Sequence, residues 1–157
     1  VLLTHGHFDH CGGAKPIVEK YGVPVYGSEK DATLAASASK NLWGVFCHDC
    51  KITDYVDGID SFSVGGFSFG VMKTPGHTPG GVCYFIDDIM FSGDTLFKEC
   101  VGRIDLPGGD YREMMDSLSK IALIDKNYKV YAGHEEDTDL FHEFRFNPYL
   151  SAFKRSK

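Results

Sequence analysis

Apolar and polar positions alternate with a period of two across the middle of the chain, in "FSVGGFSFGVMKT" (62–74) and "GVCYFIDDIMFSGD" (81–94). Such alternation places successive side chains on opposite faces of a strand and predicts two β-hairpins. Their turns fall at Gly65-Gly66 and Asp87-Asp88, residue types suited to a tight hairpin turn. On either side of this block the pattern changes. Gly13–Tyr21 predicts a helix closed by Gly22, with Pro24 just beyond. "VPVYG" (23–27) predicts a short strand, and Ser28 with Asp31 has capping-box spacing at the start of a helix over Glu29–Ala36. Asp110 caps a helix over Tyr111–Ile124, with Glu113 at its third position. Val1–Thr4 reads as the end of a buried strand, "YKVYAG" (128–133) as the last strand and Thr138–Phe146 as a terminal helix. Residues 37–60 read as irregular or weakly helical. Hairpins interspersed with helices in both orders predict an α+β fold of two sheets with helices outside.

Composition narrows the class. At 157 residues the chain reads as one domain, 1–157, long enough to bury roughly 70% of its unfolded surface. Its 43% apolar and 24% charged residues are ordinary for a globular protein. The longest apolar stretches, such as Val82–Ile86, are too short to span a bilayer, which argues against a membrane partner. A formal net charge of −6 argues against nucleic acid, because that partner requires a basic face. The one basic run, the tail "FKRSK", is expected to solvate the terminus. Five scattered cysteines form no evident disulfide framework and point to a reducing, cytoplasmic compartment. Cys47-His48-Asp49-Cys50 is a C-x-x-C without the second pair a zinc ribbon needs, and is read as structural.

The chemistry gathers in four stretches of one design: "LLTHGHFDH", "VMKTPGHTPGG", "IMFSGDT" and "VYAGHEE". Each is an apolar strand ending in a small-residue turn that carries a side chain able to bind metal, and strand ends are where sites are commonly built. His5, His7, His10, His77 and His134 lie in these turns; only His48 and His142 lie elsewhere. Residues 5, 7 and 9 alternate, so an extended chain puts them on one side, and a turn at Asp9-His10 lets those two face a second point. His5, His7, Asp9, His10, His77, Asp94 and His134 are too many ligands for one tetrahedral ion. They suit two ions that share a bridging carboxylate.

"THGHFDH", with His77, Asp94 and His134 downstream, resembles the metallo-β-lactamase superfamily, whose signature is T-H-x-H-x-D-H. "TPGHTPGG", "SGDTLF", "VGRIDLPGG" and "NPYL" resemble glyoxalase II and its shorter, single-domain hydroxyacylglutathione hydrolase-like relatives. The resemblance implies a four-layer αββα sandwich. It also implies one metal site on His5, His7 and His77, a second on Asp9, His10 and His134, and Asp94 bridging them. It places Arg103 where glyoxalase II presents a basic residue to the glutathionyl part of its thioester. Zinc is the first expectation for the two divalent ions, and iron or manganese also suit His and Asp. Family members carry strands and a hairpin before the motif, whereas this chain opens on it, so the first strands are expected to be missing. Glu135-Glu136 replace the small residues usual after the last histidine and are expected to reshape the second site. No counterpart of the C-terminal helical domain of glyoxalase II is read in these residues.

The activity so implied is hydrolysis of an S-2-hydroxyacylglutathione-like thioester, or an ester, by a hydroxide held between the ions. Asp9 orients that nucleophile and accepts its proton. The small-molecule substrate would be a glutathione thioester. The rival reading is a persulfide dioxygenase-like oxidoreductase of the same fold, with one iron on His5 or His7, His77 and Asp94. Thr4, Thr74, Thr78 and Thr95 around the ligands are expected to support them by hydrogen bonds or packing.

Overall fold

The computed structural model describes residues 1–154; the last three residues of the basic tail, Arg155–Lys157, lie outside them. In chain order, α1 (Phe8–Cys11) and α2 (Ala14–Tyr21) precede strand β1 (Tyr26–Gly27). A 3-10 turn (Glu29–Asp31) runs into α3 (Ala32–Ala35), and β2 (Asp54–Tyr55) pairs in parallel with β1 while Leu2 bridges to Tyr26. The second half contains β3 (Ser61–Val64), β4 (Phe67–Lys73), β5 (Val82–Ile86), β6 (Ile89–Gly93), β7 (Leu96–Phe97) and β8 (Cys100–Val101). There follow α4 (Tyr111–Ile121), β9 (Lys129–Ala132), β10 (Thr138–Asp139), α5 (Leu140–Phe146) and α6 (Pro148–Lys154). A six-stranded sheet runs in the order β10-β9-β6-β5-β4-β3, and β7 and β8 form a small antiparallel ribbon.

Three apolar clusters trace the expected α+β layering. Leu3, Val25, Ala35 and Ile52 pack the first helices onto the small sheet. Val56, Val82 and Tyr84 lie between the sheets, with Leu2, Tyr26 and Val71 against them. Cys83, Met90, Leu118, Ile121, Val130, Leu140 and Leu150 join the large sheet to α4, α5 and α6. The period-two reading explains this division: along β5, Val82 and Tyr84 face the inter-sheet layer while Cys83 and Phe85 face the helices. On α4 the buried Met114, Ser117, Leu118 and Ile121 follow one helical face.

Strand direction then positions the turns. β4 and β6 both pair antiparallel with β5, and β6 pairs in parallel with β9. The C-terminal ends of β4, β6 and β9 therefore emerge at one edge, carrying the turns of His77, Asp94 and His134. Thr4 joins them there, its carbonyl accepting from Val82 N at 2.8 Å.

Both hairpins form at the expected turns. Four expectations need correction. The helix expected over Glu29–Ala36 is a 3-10 turn plus one α-turn, because Asp31 turns inward and leaves the cap. Ser28 Oγ accepts from Lys30 N at 3.3 Å and donates to Asp57, which also receives Glu29 N. The helix from Tyr111 stops at Ile121, where Leu123 N and Ile124 N tighten onto the carbonyls of Lys120 and Ile121. The terminal helix starts at Leu140, capped by Asp139, because Thr138–Asp139 pair with β9. A further helix, α6, follows with Pro148 in its first turn, where the missing N–H costs nothing.

"NPYL" owes its place to Asn147. This buried amide donates to the carbonyls of Phe97 (3.4 Å) and Cys100 (2.9 Å) and to Glu143 Oε2 (2.8 Å), and accepts from Tyr149 N (3.0 Å). Glu143, also buried, accepts from Glu99 N and Thr138 Oγ1. The pair ties the 97–100 turn to the C-terminal helices. Asn147→Ala should lower the unfolding free energy by roughly 1–3 kcal/mol in urea titrations, the cost of orphaning buried polar groups. A change below about 0.5 kcal/mol would show that the turn does not need this amide.

Candidate metal centre

Val1–His7 leads into the site with bends at Thr4 and His5 and ends at His7, whose extended backbone (φ −67°, ψ 151°) precedes the single turn α1. Cys11 N and His10 N both donate to the His7 carbonyl at 3.0 Å. The segment before α1 therefore carries only His5 and His7, and Asp9, expected to align with them, rides on the helical turn beside His10. The result is two facing groups. His5, His7 and His77 bring one ligand atom each within 4.8 Å of one another, as do Asp9, His10 and His134; His5, His10 and Asp94 form a third such trio.

Asp94 sits between the groups. Its Oδ2 lies 3.3 Å from His77 Nε2 and 3.6 Å from His134 Nε2, and its Oδ1 lies 3.3 Å from His10 Nε2. Asp9 Oδ2 lies 3.2 Å from His134 Nε2 and 3.6 Å from His10 Nε2. The turn of Gly133 makes room for this convergence, since a Cβ there would meet Asp94 Oδ1 at 2.2 Å and His10 Cε1 at 2.5 Å. All seven residues singled out as ligands thus meet at one edge of the sheet.

The donor set fits divalent cations. Among the described residues, His5 Nε2 and Asp94 Oδ1 are buried without a hydrogen-bond partner, Asp94 Oδ1 having only the ion-pair contact with His10, a costly state for buried polar atoms. His77 Nδ1 faces the Arg103 carbonyl at 2.6 Å. Donating there fixes the tautomer and leaves Nε2 as a lone pair 2.9 Å from His7 Nδ1. His10 Nε2 and His134 Nε2 face each other at 3.2 Å. Nitrogens this close share a proton or a cation. Burial holds the His5 imidazole well below the usual histidine range, with His10 and His77 adding to it. Burial also lowers His7, aided by His77, and lowers His10 against the opposing pull of Asp94 and Asp9. Neutral imidazole is the form that binds metal. Cys11 takes no part: burial pushes its thiol up to about 12, and its Sγ donates to the Gly6 carbonyl.

The site opens into a cleft of about 580 Å³ with His7, His77, Asp94 and His134 on its floor. Phe8, Trp43, Val45 and Phe97 form walls, and Arg103 and Glu135 lie at the border. The Arg103 side chain is exposed and forked onto Asp105 through Nε (2.6 Å) and Nη2 (2.7 Å). Glu136 turns away to Lys98, while Glu135 takes a left-handed backbone (φ 66°) and faces the cleft.

A family model described as Metallo-beta-lactamase superfamily matches residues 1–134, the span holding all seven of the converging His and Asp side chains. The chain belongs to the metallo-beta-lactamase superfamily. Among superfamily relatives, "Probable metallo-hydrolase YqgX" of Bacillus subtilis is 34% identical over 98% of this chain and 76% of its own length. "Hydroxyacylglutathione hydrolase GloC" of Haemophilus influenzae is 34% identical over 97% and 76%. Among solved structures, the BLEG-1 B3 metallo-beta-lactamase superposes with a TM-score of 0.87 at 34% identity, over 96% of this chain and 76% of that one. TTHA1623 in a di-iron-bound form gives 0.85 at 36% identity, over 95% and 76%. ETHE1 from Myxococcus xanthus gives 0.73 at 30% identity, over 97% and 62%. Among the described residues, no helix is long and apolar enough to cross a membrane.

Sequence reasoning missed one residue on which this superfamily site rests. Asp31, 1% exposed, accepts from Gly6 N (2.9 Å) and Thr78 Oγ1 (2.7 Å) at Oδ2 and from Gly80 N (2.8 Å) at Oδ1. It joins the His5–His7 loop to the His77 loop. The signal was Gly80 in "TPGG", where a Cβ would lie 2.5 Å from Asp31 Cγ. The threonines divide their roles: Thr4 Oγ1 lies 3.3 Å from His5 Nδ1, Thr78 holds Asp31, and Thr95 donates to Thr74 in the packing beneath. Asp31→Ala orphans three buried donors and should lower the unfolding free energy of the metal-free protein by at least about 3 kcal/mol. Asp31→Asn keeps the volume but turns a donor towards donors, so it should also destabilise. Wild-type urea midpoints for both variants would refute the role.

Proposed function

We propose that the chain is a metal-dependent hydrolase of thioesters of the S-2-hydroxyacylglutathione kind, able also to act on esters. The observation that carries this reading is Asp94, placed by one carboxylate between two complete groups. In this reading His5, His7 and His77 would hold one divalent ion, Asp9, His10 and His134 would hold the other, and Asp94 would serve both. Zinc is the first candidate, and iron or manganese suit the same donors. Bound ions of this type polarise a carbonyl oxygen and bring the pKa of water towards about 7.

The chain's own residues supply the rest. Arg103 O keeps His77 in one tautomer through Nδ1, and Asp31 fixes the backbone on either side. Asp9 Oδ2, at the open side of the cleft, orients the attacking water and accepts its proton. Phe8, Trp43 and Phe97 shield the reacting carbonyl from bulk solvent. The name of the Haemophilus influenzae relative supports a glutathione thioester as substrate. In that case the Arg103 guanidinium leaves Asp105 to meet an anionic arm of the substrate, an exchange that loses little because exposed pairs contribute little.

A second reading, a single iron used for persulfide oxidation, draws on burial. His5 and His77 are buried, whereas Asp9 and His134 are open to solvent. Metal content separates the two readings. Protein loaded with zinc, iron or manganese should hold close to two ions per chain and cleave the thioester without consuming oxygen. One ion with oxygen uptake on glutathione persulfide would establish the second reading. Turnover confined to a β-lactam would overturn both.

Asp94→Ala should lose more metal and more rate than His134→Ala, since it withdraws a contact from both groups at once. Equal and small losses, read by elemental analysis beside kcat, would show the groups to be uncoupled. Arg103→Ala should raise KM for a glutathione thioester roughly 10-fold or more, the loss of a charge-assisted bond of about 1.5–3 kcal/mol. Metal content should hold, as should rates on small neutral esters. An equal loss on both substrates would assign the arginine to loop support.

A further inference from the structure

Beside the metal cleft lies a second cavity of about 270 Å³, and the two share His7, Phe8, Trp43 and Leu106 as a common wall. The metal cleft is thus adjoined by a largely apolar pocket walled by Phe8, Leu34, Ala38, Leu42, Trp43 and Leu106, with Ser37, Lys40 and Asn41 also on its lining. Whole ligands usually fill about 300–1,000 Å³, so this volume suits one arm of a substrate whose reacting part lies over the metal groups.

The pocket is built into the fold. Its outer lip, Leu42-Trp43, is held by the Asn41 side chain. Asn41 Nδ2 donates to the carbonyls of Ala38 (3.1 Å) and Val45 (2.7 Å), and Asn41 Oδ1 accepts from Trp43 N (3.2 Å) and Val45 N (3.1 Å). Gly44 makes the return with φ 64°, and Cys47 Sγ donates to Ala38 O at 3.2 Å. Trp43 rests on Phe8 with ring centroids 5.4 Å apart, and Phe8 stands between the two ligands His7 and Asp9. Leu42 and Trp43 are 75% and 53% exposed, so large apolar side chains stand largely open to solvent at the mouth.

We infer that this pocket binds the acyl arm of the substrate and selects apolar acyl groups, linear or aryl, over the short hydroxyacyl groups of the simplest thioesters. The inference rests on the thioester reading above. A glutathionyl leaving group is charged and polar along its length, so it belongs at the border of Arg103. The acyl arm is the part of such a substrate that gains from leaving water. Each methylene that enters should strengthen binding about fourfold, the ~0.8 kcal/mol of burying one CH2 group.

The test titrates metal-loaded protein with S-methyl, S-propyl and S-hexyl glutathione, which lack the scissile carbonyl, and follows the emission of Trp43, the chain's single tryptophan. Affinity should climb several tens of fold from propyl to hexyl with a saturable change in emission. Leu42→Asp, a change at an exposed lip position, should cut the hexyl-over-methyl affinity ratio at least 10-fold. In parallel, kcat/KM for acetyl, butanoyl and hexanoyl glutathione should rise in the same order. Affinity independent of chain length, or a ratio untouched by Leu42→Asp, overturns the inference. Turnover of thioesters without chain-length preference removes the pocket's role and keeps the hydrolase. Chain-length-dependent binding without turnover of any thioester keeps the pocket and removes the hydrolase.

Discussion

A single buried carboxylate holds together what the rest of the site requires. Asp31 receives two backbone N–H groups and a hydroxyl from loops separated by some seventy residues of chain. Those loops carry His5, His7 and His77. Three converging imidazoles gain nothing from one another, and their desolvation must be sustained by contacts elsewhere. Asp31 supplies those contacts without entering the cluster. It organises backbone, which is stiff, and the imidazoles are carried along with it.

Asp94 belongs to a different part of the mechanics. It reaches its place because β6 and β9 run in parallel, so residues just beyond their ends come out side by side. β4, two strands away and pointing the same way, delivers His77 to that edge. The centre therefore has a more buried group, His5, His7 and His77, on the segment before α1 and the turn after β4, and a more open group, Asp9, His10 and His134, on α1 and the turn after β9. On the proposed hydrolase reading, a substrate carbonyl entering the cleft would meet the open group first, and water would be most easily excluded at the other.

Much of this was legible in the sequence. The strand-end turns announced themselves by residue type, and the hairpins by a strict period of two with short turns. The arrangement of Asp9 was less legible, because an H-x-H-x-D spacing fits both an extended chain and an extended chain that breaks into a helical turn. His7, as the last extended residue, decides between them through its carbonyl, which closes the turn. Asp31 escaped notice because its local context, three residues after Ser28, is that of a helix cap. Its tertiary partners outbid the local one: three buried donors need a carboxylate more than an exposed helix start does, and Asp57 serves that start instead. The 41–45 lip was illegible for a related reason. Its order comes from one asparagine bonding to four backbone groups, which leaves no periodic trace.

Loop 101–109 joins chemistry to selection. Its backbone accepts from His77 through Arg103 O, and Asp110 N, just past it, donates to Gly76 O at 2.8 Å. Of its side chains, Arg103 lies at the border of the metal cleft and Leu106 in the wall between that cleft and the apolar pocket. A segment that fixes a ligand with its main chain is free to vary its side chains, because the carbonyl survives any substitution that keeps the loop's path. On the proposed reading, substrate preference would therefore shift at residues 103 and 106 while the imidazole held by the Arg103 carbonyl stays where it is. The metal centre and the walls that choose what reaches it are thus separable in this fold, one written in backbone and the other in side chains.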